Sequence, residues 1–404
     1  MAKRIRLGMV GGGQGAFIGE VHRLAARLDN RFELCAGALS ADPERARASA
    51  QELGISADRA YVSFEEMAQA ESQREDGVQA VAIVTPNHLH FEPAKAMLAA
   101  GIHVICDKPL TSDYAQAQEL AEIVSKSAAQ FAVTYNYSGY PLVREARHLI
   151  ASGALGAIRL VQVEYPQDWL ATNIEAEGQK QAEWRTDPAR AGAGGSIGDI
   201  GTHAFHLAGF VSGMQPTSLL ADLTSFVPGR VLDDNAHILL RYACGARGML
   251  WASQVAVGQE NALRLRVYGE TGSLEWFQEN PNQLLHRPLG APMRTLTRGG
   301  SGLSTEAAVG AVTRIPAGHP EGFIEGFATL YSDFADLIES TAVTGGVAAT
   351  ASNQARLLPT VADGVKGVRF VGAAVESMVG TGSKNISASS TVISKTSEIF
   401  LPLY

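Results

Sequence analysis

The sequence predicts a mixed α/β chain in two parts. An N-terminal segment carries a parallel sheet wound between helices, and a C-terminal α+β segment carries a large, mostly antiparallel open sheet. Three observations predict this. Strand and helix patterns alternate over residues 1–135. A glycine loop, Gly11-Gly12-Gly13-Gln14-Gly15-Ala16, joins the first strand to the first helix. Beyond about residue 150 the strand patterns follow one another without helices between them. Alternation calls for parallel strands joined by crossover helices, whereas consecutive strands call for antiparallel pairing.

Residues 5–10 (IRLGMV) are apolar at alternate positions and read as a short strand. Behind the glycine loop, Phe17, Ile18, Val21, Leu24, Ala25 and Leu28 recur at helical spacing. Residues 32–38 (FELCAGA) make a second strand, and Asp42-Pro43 reads as an N-cap followed by proline at the first helical position. Ser63-Phe64-Glu65-Glu66 reads as a capping box. Ala80 to Thr85 is a continuous apolar run, as expected of a strand buried on both faces. A helix through 94–100, a strand at 102–106, a helix near 113–127 and a strand at 130–135 complete the alternating part. Segments 157–165, 217–226, 236–243 and 247–257 then read as strands, and Glu270-Thr271-Gly272 turns between two more within 262–277. Apolar residues on both faces of 247–257 predict burial there. A helix-rich insert is expected around 180–212 and a long loop over 289–322. Helices resume at 322–340 and 350–378. The division expected is a dinucleotide-binding part over 1–135, a substrate-binding and oligomerisation part over 136–380, and a tail over 381–404 whose order the pattern leaves open.

Composition narrows the function classes. Of 404 residues, 46% are apolar and 18% charged, enough for a sizeable core and too little charge for wholesale disorder. Lys plus Arg is 33 and Asp plus Glu is 41, so the formal net charge is 33 − 41 = −8. Such a chain is a poor general ligand for nucleic acid. Cys35, Cys106 and Cys244 lie far apart with no CxxC, which excludes a disulfide framework or cysteine zinc site as the expected design. Lys3, Arg4 and Arg6 run into the glycine loop with no apolar signal core, and no apolar run approaches the ~18 residues of a membrane span. A soluble, cytoplasmic protein is expected.

Gly11-x-Gly13-x-x-Ala16 fits G-x-G-x-x-[GA] at a strand-to-helix turn, the fingerprint of a Rossmann dinucleotide fold. The first glycine allows the turn, the second lets backbone approach a pyrophosphate, and the third position must be small for helix packing. The helix N-terminus, with Phe17 and Ile18, then faces the phosphates. The acid that usually ends the second strand is absent. Ser40 stands in its place, Asp42 reads as the N-cap, and Arg45 is either a surface residue or a contact for a 2′-phosphate. NAD is expected, with NADP left open.

Three further motifs carry a family resemblance. Thr85-Pro86-Asn87-His88-Leu89-His90 follows the strand at 80–85, Asp107-Lys108-Pro109 follows the strand at 102–106, and Gly198-Asp199-Ile200-Gly201-Thr202-His203 opens a helix in the second part. With the glycine loop, in this order, they resemble the Gfo/Idh/MocA oxidoreductases over nearly the whole chain. The usual Glu-Lys-Pro is Asp-Lys-Pro here, which keeps the carboxylate one methylene shorter. The stretches GGGQGAFIGEVHR, EYPQDWL, QAEWRTDP and GHPEGFIEGFATLY are similar to a subgroup containing dehydrogenases of scyllo-inositol, L-glucose and levoglucosan.

Oxidising a secondary alcohol needs a base for the hydroxyl proton and a group that stabilises the developing alkoxide. Asp199 and His203 are four apart and share a helix face, and imidazole is a natural base near neutral pH. The resemblance implies that His203 takes the proton, that Asp199 orients substrate or histidine, and that Lys108 hydrogen-bonds the reacting oxygen. It also implies that Pro109 follows a cis bond, and that Thr85, Pro86, Asn87, His90 and Asp107 stand around the cofactor with Lys108. Asp199, His203 and His206 also have spacing that a metal site allows, whereas the resemblance implies metal-free hydride transfer. His206 reads as a core histidine, and His88 and His90 as lining the cofactor cleft. Tyr135, Asn136, Tyr137, Trp184, Arg185 and His319 are candidate substrate contacts. Trp169 and Trp184 are equally well read as core, because aromatic faces pack on sugars and on cores alike.

These readings lead to an NAD(P)-dependent dehydrogenase of a cyclic polyol or pyranose. Two rivals remain. One is an enzyme of the same fold that cycles a tightly held NAD internally, as in a glycosidase; the other is a non-enzymatic sugar-sensing relative. A homodimer or homotetramer is expected by resemblance, with subunits covering the open sheet.

Overall fold

The computed structural model describes residues 3–304, 307–343, 357–380 and 400–403. The strands are β1 (Ile5–Gly11), β2 (Phe32–Ala38), β3 (Ala80–Val84), β4 (His103–Cys106), β5 (Phe131–Val133), β6 (Ile158–Pro166), β7 (Pro216–Thr224), β8 (Asn235–Tyr242), β9 (Arg247–Ser253), β10 (Arg264–Gly269), β11 (Gly272–Phe277), β12 (Gln283–Pro288), β13 (Arg294–Thr297) and β14 (Leu401–Pro402). The helices are α1 (Phe17–Leu28), α2 (Pro43–Glu52), α3 (Phe64–Gln73), α4 (Phe91–Ala99), α5 (Tyr114–Lys126), α6 (Pro141–Ala151), α7 (Lys180–Arg185), α8 (Pro188–Ala191), α9 (Thr202–Ser212), α10 (Ala307–Gly310), α11 (Phe323–Val343) and α12 (Val361–Gly380). The chain divides into two compact units, Met1–Arg144 with Leu303–Val365, and Glu145–Gly302 with Lys366–Tyr404. The sequence division at residue 135 places α11 in the second part. In the structure α11 packs on α1, and Phe327, Tyr331, Phe334 and Ile338 join the same core as Leu7, Val21, Ala25 and Phe32.

The first unit is a Rossmann-type α/β layer. Its parallel sheet runs β2-β1-β3-β4-β5 among the described residues. All five residues of β3 are buried, as its unbroken apolar run requires of a central strand. Ser63 accepts the Glu66 N–H and so caps α3, and Glu66 returns a carboxylate to the Val62 N–H, one residue before the usual box partner. The apolar face expected of α1 is only partly right. Val21 and Ala25 are buried, but Phe17 is 67% exposed and Leu24 and Leu28 are about half exposed. The inner face centres on Gly19, Val21, His22, Ala25 and Ala26. Small residues win there because α1 approaches closely: a Cβ on Gly19 would lie 2.4 Å from the Gly12 carbonyl oxygen.

The second unit holds a sheet of order β13-β12-β11-β10-β6-β9-β8-β7-β14. Its described pairs are antiparallel except β6 with β9. One face is buried under α9 and its neighbours through Val161, Val163, Leu240 and Leu250. The opposite face bears Leu160, Leu239 and Met249 in the open within a single chain, the exposure expected of a face that is left for subunits to cover. The long loop expected over 289–322 is also corrected. β13 pairs with β12, and α10 forms a short turn. β13 is almost wholly exposed, so burial imposed no alternating pattern by which to read it. Of the tail, Leu401–Pro402 adds to β7, and residues 381–399 lie outside the described residues. No described helix is long and apolar enough to cross a membrane.

Candidate active site

In the first unit the glycine loop is held from three sides. Gly11 has φ +78°, and a Cβ there would meet Thr85 Cγ2 at 2.9 Å. Gly13 donates its N–H to the Leu39 carbonyl, and a Cβ there would lie 2.7 Å from both that oxygen and Ser49 Oγ. The Gln14 N–H donates to Ser49 Oγ at 3.0 Å, and the Gln14 amide to Glu52 at 2.9 Å. The N-cap of the helix behind it is Ala16, whose side chain has no oxygen to cap the leading N–H groups. Those groups are therefore left for an anion, where the helix dipole favours one. A loop that excludes side chains and ends on an uncapped helix fits a dinucleotide pyrophosphate. Gly13→Val is accordingly expected to weaken NAD binding by roughly a hundredfold or more, measured by fluorescence titration.

Asp42 is the N-cap of α2, accepting the Arg45 N–H at 2.7 Å, and Ser40 Oγ accepts the Asp42 N–H. The Arg45 guanidinium turns back over the loop and donates to the Gln14 carbonyl, so it is not simply a solvated surface group. Thr85 Oγ1 donates to the Leu89 carbonyl, and Asn87 is buried. His90 is fully buried, with Nε2 2.9 Å from the Thr85 carbonyl and Nδ1 2.8 Å from the Pro109 carbonyl. It ties the two strand-end loops together. Burial lowers its pKa, with Asp107 and the two carbonyls opposing. The Lys108–Pro109 bond is cis. Tyr135, Asn136 and Tyr137 are buried, and His319 is exposed.

In the second unit the Gly198–His203 motif does not open as a plain α-helix. Residues 197–201 form a single π turn that runs into α9, a device often found at functional sites. Asp233 supplies the cap from another segment. Its carboxylate accepts the Gly195 N–H (2.7 Å), the Ser196 hydroxyl (2.7 Å) and the Ile197 N–H (2.9 Å). Burial pushes its pKa up against these donors. Asp233→Ala leaves three buried donors without their acceptor and is expected to cost about 2 kcal/mol or more of stability, read from denaturant midpoints.

Asp199 Oδ2 accepts two N–H donors, Arg185 Nε at 3.2 Å and Gln254 Nε2 at 2.9 Å. The Arg185 guanidinium lies 4.1 Å from the Trp184 ring centroid and 5.9 Å from that of Trp169, and donates to Gln181 Oε1 at 2.6 Å. His203 is nearly buried, its ring edge-on to Tyr165 at 6.4 Å. The Tyr165 hydroxyl and the Gln167 amide both donate to Asn261 Oδ1 at 2.7 Å. The result is a carboxylate and a guanidinium beside two indole faces, with the His203 imidazole further along the same helical run, a set that can grip hydroxyls and cover an apolar ring face. His206 is half-buried and stacks on Phe210. Among the described residues no group of three His, Cys, Asp or Glu side chains is placed to hold a metal ion. Sequence reasoning missed Gln254 and Asp233. Gln254 lies 55 residues from the carboxylate it serves, and the signal for Asp233 was only a pair of adjacent acids after a turn.

Comparison with known proteins agrees with this architecture. Residues 5–135 match the oxidoreductase family with an NAD-binding Rossmann fold, and residues 143–275 match the GFO/IDH/MocA C-terminal domain. The chain is 38% identical over 343 residues to the uncharacterized oxidoreductase YfiI of Bacillus subtilis (strain 168), covering 84% of this chain and 87% of that one. It is 29% identical over 306 residues to the levoglucosan dehydrogenase of Pseudarthrobacter phenanthrenivorans, covering 70% and 76%. The crystal structure of an inositol dehydrogenase homolog from Azotobacter vinelandii, complexed with NADH and myo-inositol, superposes with a TM-score of 0.86 at 37% identity, covering 94% and 96%. The chain belongs to the Gfo/Idh/MocA family and is an NAD-binding oxidoreductase.

Proposed function

We propose that the protein is an NAD(P)-dependent dehydrogenase that oxidises a secondary hydroxyl of a cyclic polyol or pyranose of the inositol, L-glucose or levoglucosan type. The observation that carries this reading is the cluster of Asp199, Arg185 and Gln254 beside the Trp184 and Trp169 faces. Two of the named relatives, the levoglucosan dehydrogenase and the inositol dehydrogenase homolog, act on or hold ring compounds of this class. A nicotinamide dinucleotide held by the Gly11–Ala16 loop would supply the hydride acceptor for the carbinol carbon. His203 takes the hydroxyl proton on its imidazole. Lys108 donates a hydrogen bond to the oxygen as it becomes a carbonyl. Asp199, fixed by its two N–H donors, accepts from a neighbouring hydroxyl and aligns the ring, with Arg185 and Trp184 holding it. Tyr135, Asn136 and His319 are further substrate contacts in this reading. Gly11, Gly13, Gln14, Ala16, Phe17, Ile18, Ser40, Thr85, Pro86, Asn87, His90 and Asp107 form or support the cofactor site. Arg45 is the residue that would meet a 2′-phosphate.

The test follows nicotinamide absorbance with NAD and NADP against myo-inositol, scyllo-inositol, L-glucose, D-glucose, levoglucosan and D-xylose. Reduction with one or two of these establishes the reading. Conversion of a substrate with no net NADH would instead establish the internal redox cycle. Binding of NAD without conversion of any ring compound counts against an enzyme of this class. For assembly, the open sheet face with Leu160, Leu239 and Met249 fits a second copy of this chain in a homodimer or homotetramer. Leu239→Glu is expected to shift the mass measured by light scattering toward the protomer, and an unchanged mass places the contact elsewhere.

A further inference from the structure

Helix α1 carries a fully buried histidine that the proposed reaction does not use. His22 Nδ1 lies 2.8 Å from the Tyr331 hydroxyl on α11, and Nε2 lies 3.0 Å from Asp107 Oδ1. Thr134, just past β5, donates its hydroxyl to that same Oδ1 at 2.5 Å. Phe327 and Tyr331 pack around the imidazole at centroid distances of 5.1 and 5.7 Å.

The chemistry of the partners orders the protons. A carboxylate only accepts, so the nitrogen facing Asp107 carries hydrogen. A neutral ring then accepts at Nδ1, and the donor there is the Tyr331 hydroxyl. Burial raises the Tyr331 pKa further, so this O–H keeps its proton. The chain is directional: Tyr331 O–H to His22 Nδ1, then His22 Nε2–H to Asp107. Burial alone would push the Asp107 carboxyl up, but His22, the Thr134 hydroxyl and nearby His90 outweigh it and hold the carboxyl below its usual range. Asp107 is bonded to Lys108, and it also anchors the chain through its N–H to the Ile83 carbonyl. Fixing the Asp107 side chain therefore fixes the backbone from which Lys108 departs and holds a carboxylate on the residue bonded to it.

We propose that His22, held in one tautomer by Tyr331, is a positioning residue that fixes Asp107 and through it the orientation and charge surroundings of Lys108. The proposal rests on the reading of Lys108 as the ammonium at the reacting oxygen. A plain core histidine would join α1 to α11 and do nothing to Lys108.

The experiment uses the full chain with His22→Leu, His22→Gln and Tyr331→Phe. The primary readout needs no substrate. It is the pH at which Lys108 becomes half-labelled by acetic anhydride, followed by mass spectrometry. The titratable groups around Asp107 that could move with pH are His22 from α1, Tyr331 from α11, His90 ahead of α4 and Cys106 at the end of β4. His22→Leu removes the N–H that holds the Asp107 carboxylate in place, and burial then disfavours its charge. The labelling midpoint of Lys108 is expected to fall by about one pH unit. With NAD and a turned-over ring compound, kcat is expected to fall roughly tenfold or more, and the Kd for NAD to stay within about twofold. His22→Gln, whose amide can present an N–H, is expected to recover most of both losses. Tyr331→Phe is expected to move them the same way by less. If His22→Leu folds, binds NAD and labels at the wild-type pH, the proposal is overturned. If His22→Leu does not fold, an unshifted midpoint in Tyr331→Phe overturns it. A shifted midpoint in a protein that turns over no ring compound supports the positioning role while the dehydrogenase reading fails.

Discussion

His203→Gln is expected to lower kcat on the order of a thousandfold, within the range a general base contributes. The Kd for NAD is expected to stay within about twofold, because His203 is not part of the glycine loop that fits the pyrophosphate. Glutamine keeps a hydrogen-bonding group but accepts no proton near neutral pH, so the loss reads proton transfer and not packing. Asp199→Asn is the comparison. Oδ2 of Asp199 already receives two N–H donors, from Arg185 and Gln254, which suits an aligning carboxylate better than a base. Asparagine in its place should therefore raise KM for the ring compound more than it lowers kcat. The reverse pattern, with Asp199→Asn the slower enzyme and His203→Gln nearly normal, would falsify the assignment of the base.

What was legible in the sequence was local. Gly11 and Gly13 announce themselves because backbone and neighbours leave no room for a Cβ, and that demand is written in residue type alone. Asp42 before Pro43 is a spacing statement of the same kind. Arg185 was legible as a candidate, but its partner Asp199 is 14 residues on. The illegible part is long-range. His22 meets a tyrosine 309 residues away and Asp107 85 residues away. The available sign was a histidine at i+4 from Ile18 and i−3 from Ala25, on a face otherwise reading as apolar. Phe17, Leu24 and Leu28 misled the phase of α1 because exposed apolar residues are common on real surfaces. β13 went unread because an exposed edge strand buries too little to impose a period on its residues. The π turn at 197–201 depends on Asp233, more than thirty residues downstream, and no periodicity shows it.

Lys108→Met is expected to lower kcat by roughly 10²- to 10³-fold, the usual loss when one preorganised donor to a developing oxyanion is removed. Methionine keeps the length and apolar stem and removes only the ammonium, so the cis Lys108–Pro109 geometry and the His90 link to the Pro109 carbonyl have no reason to change. The loss should fall on kcat and leave the Kd for NAD nearly untouched, because the ammonium is needed most strongly in the transition state. Arginine keeps the charge but spreads it over a planar fork, so Lys108→Arg should recover little. An isotope effect separates the step affected. With a substrate carrying deuterium on the reacting carbon, the primary effect on kcat should rise in Lys108→Met, since hydride transfer and alkoxide formation then limit turnover. A variant that loses NAD affinity in proportion to its rate, with no rise in the isotope effect, would make Lys108 a cofactor contact alone. The alkoxide would then have to be stabilised by His203 and the groups around Asp199.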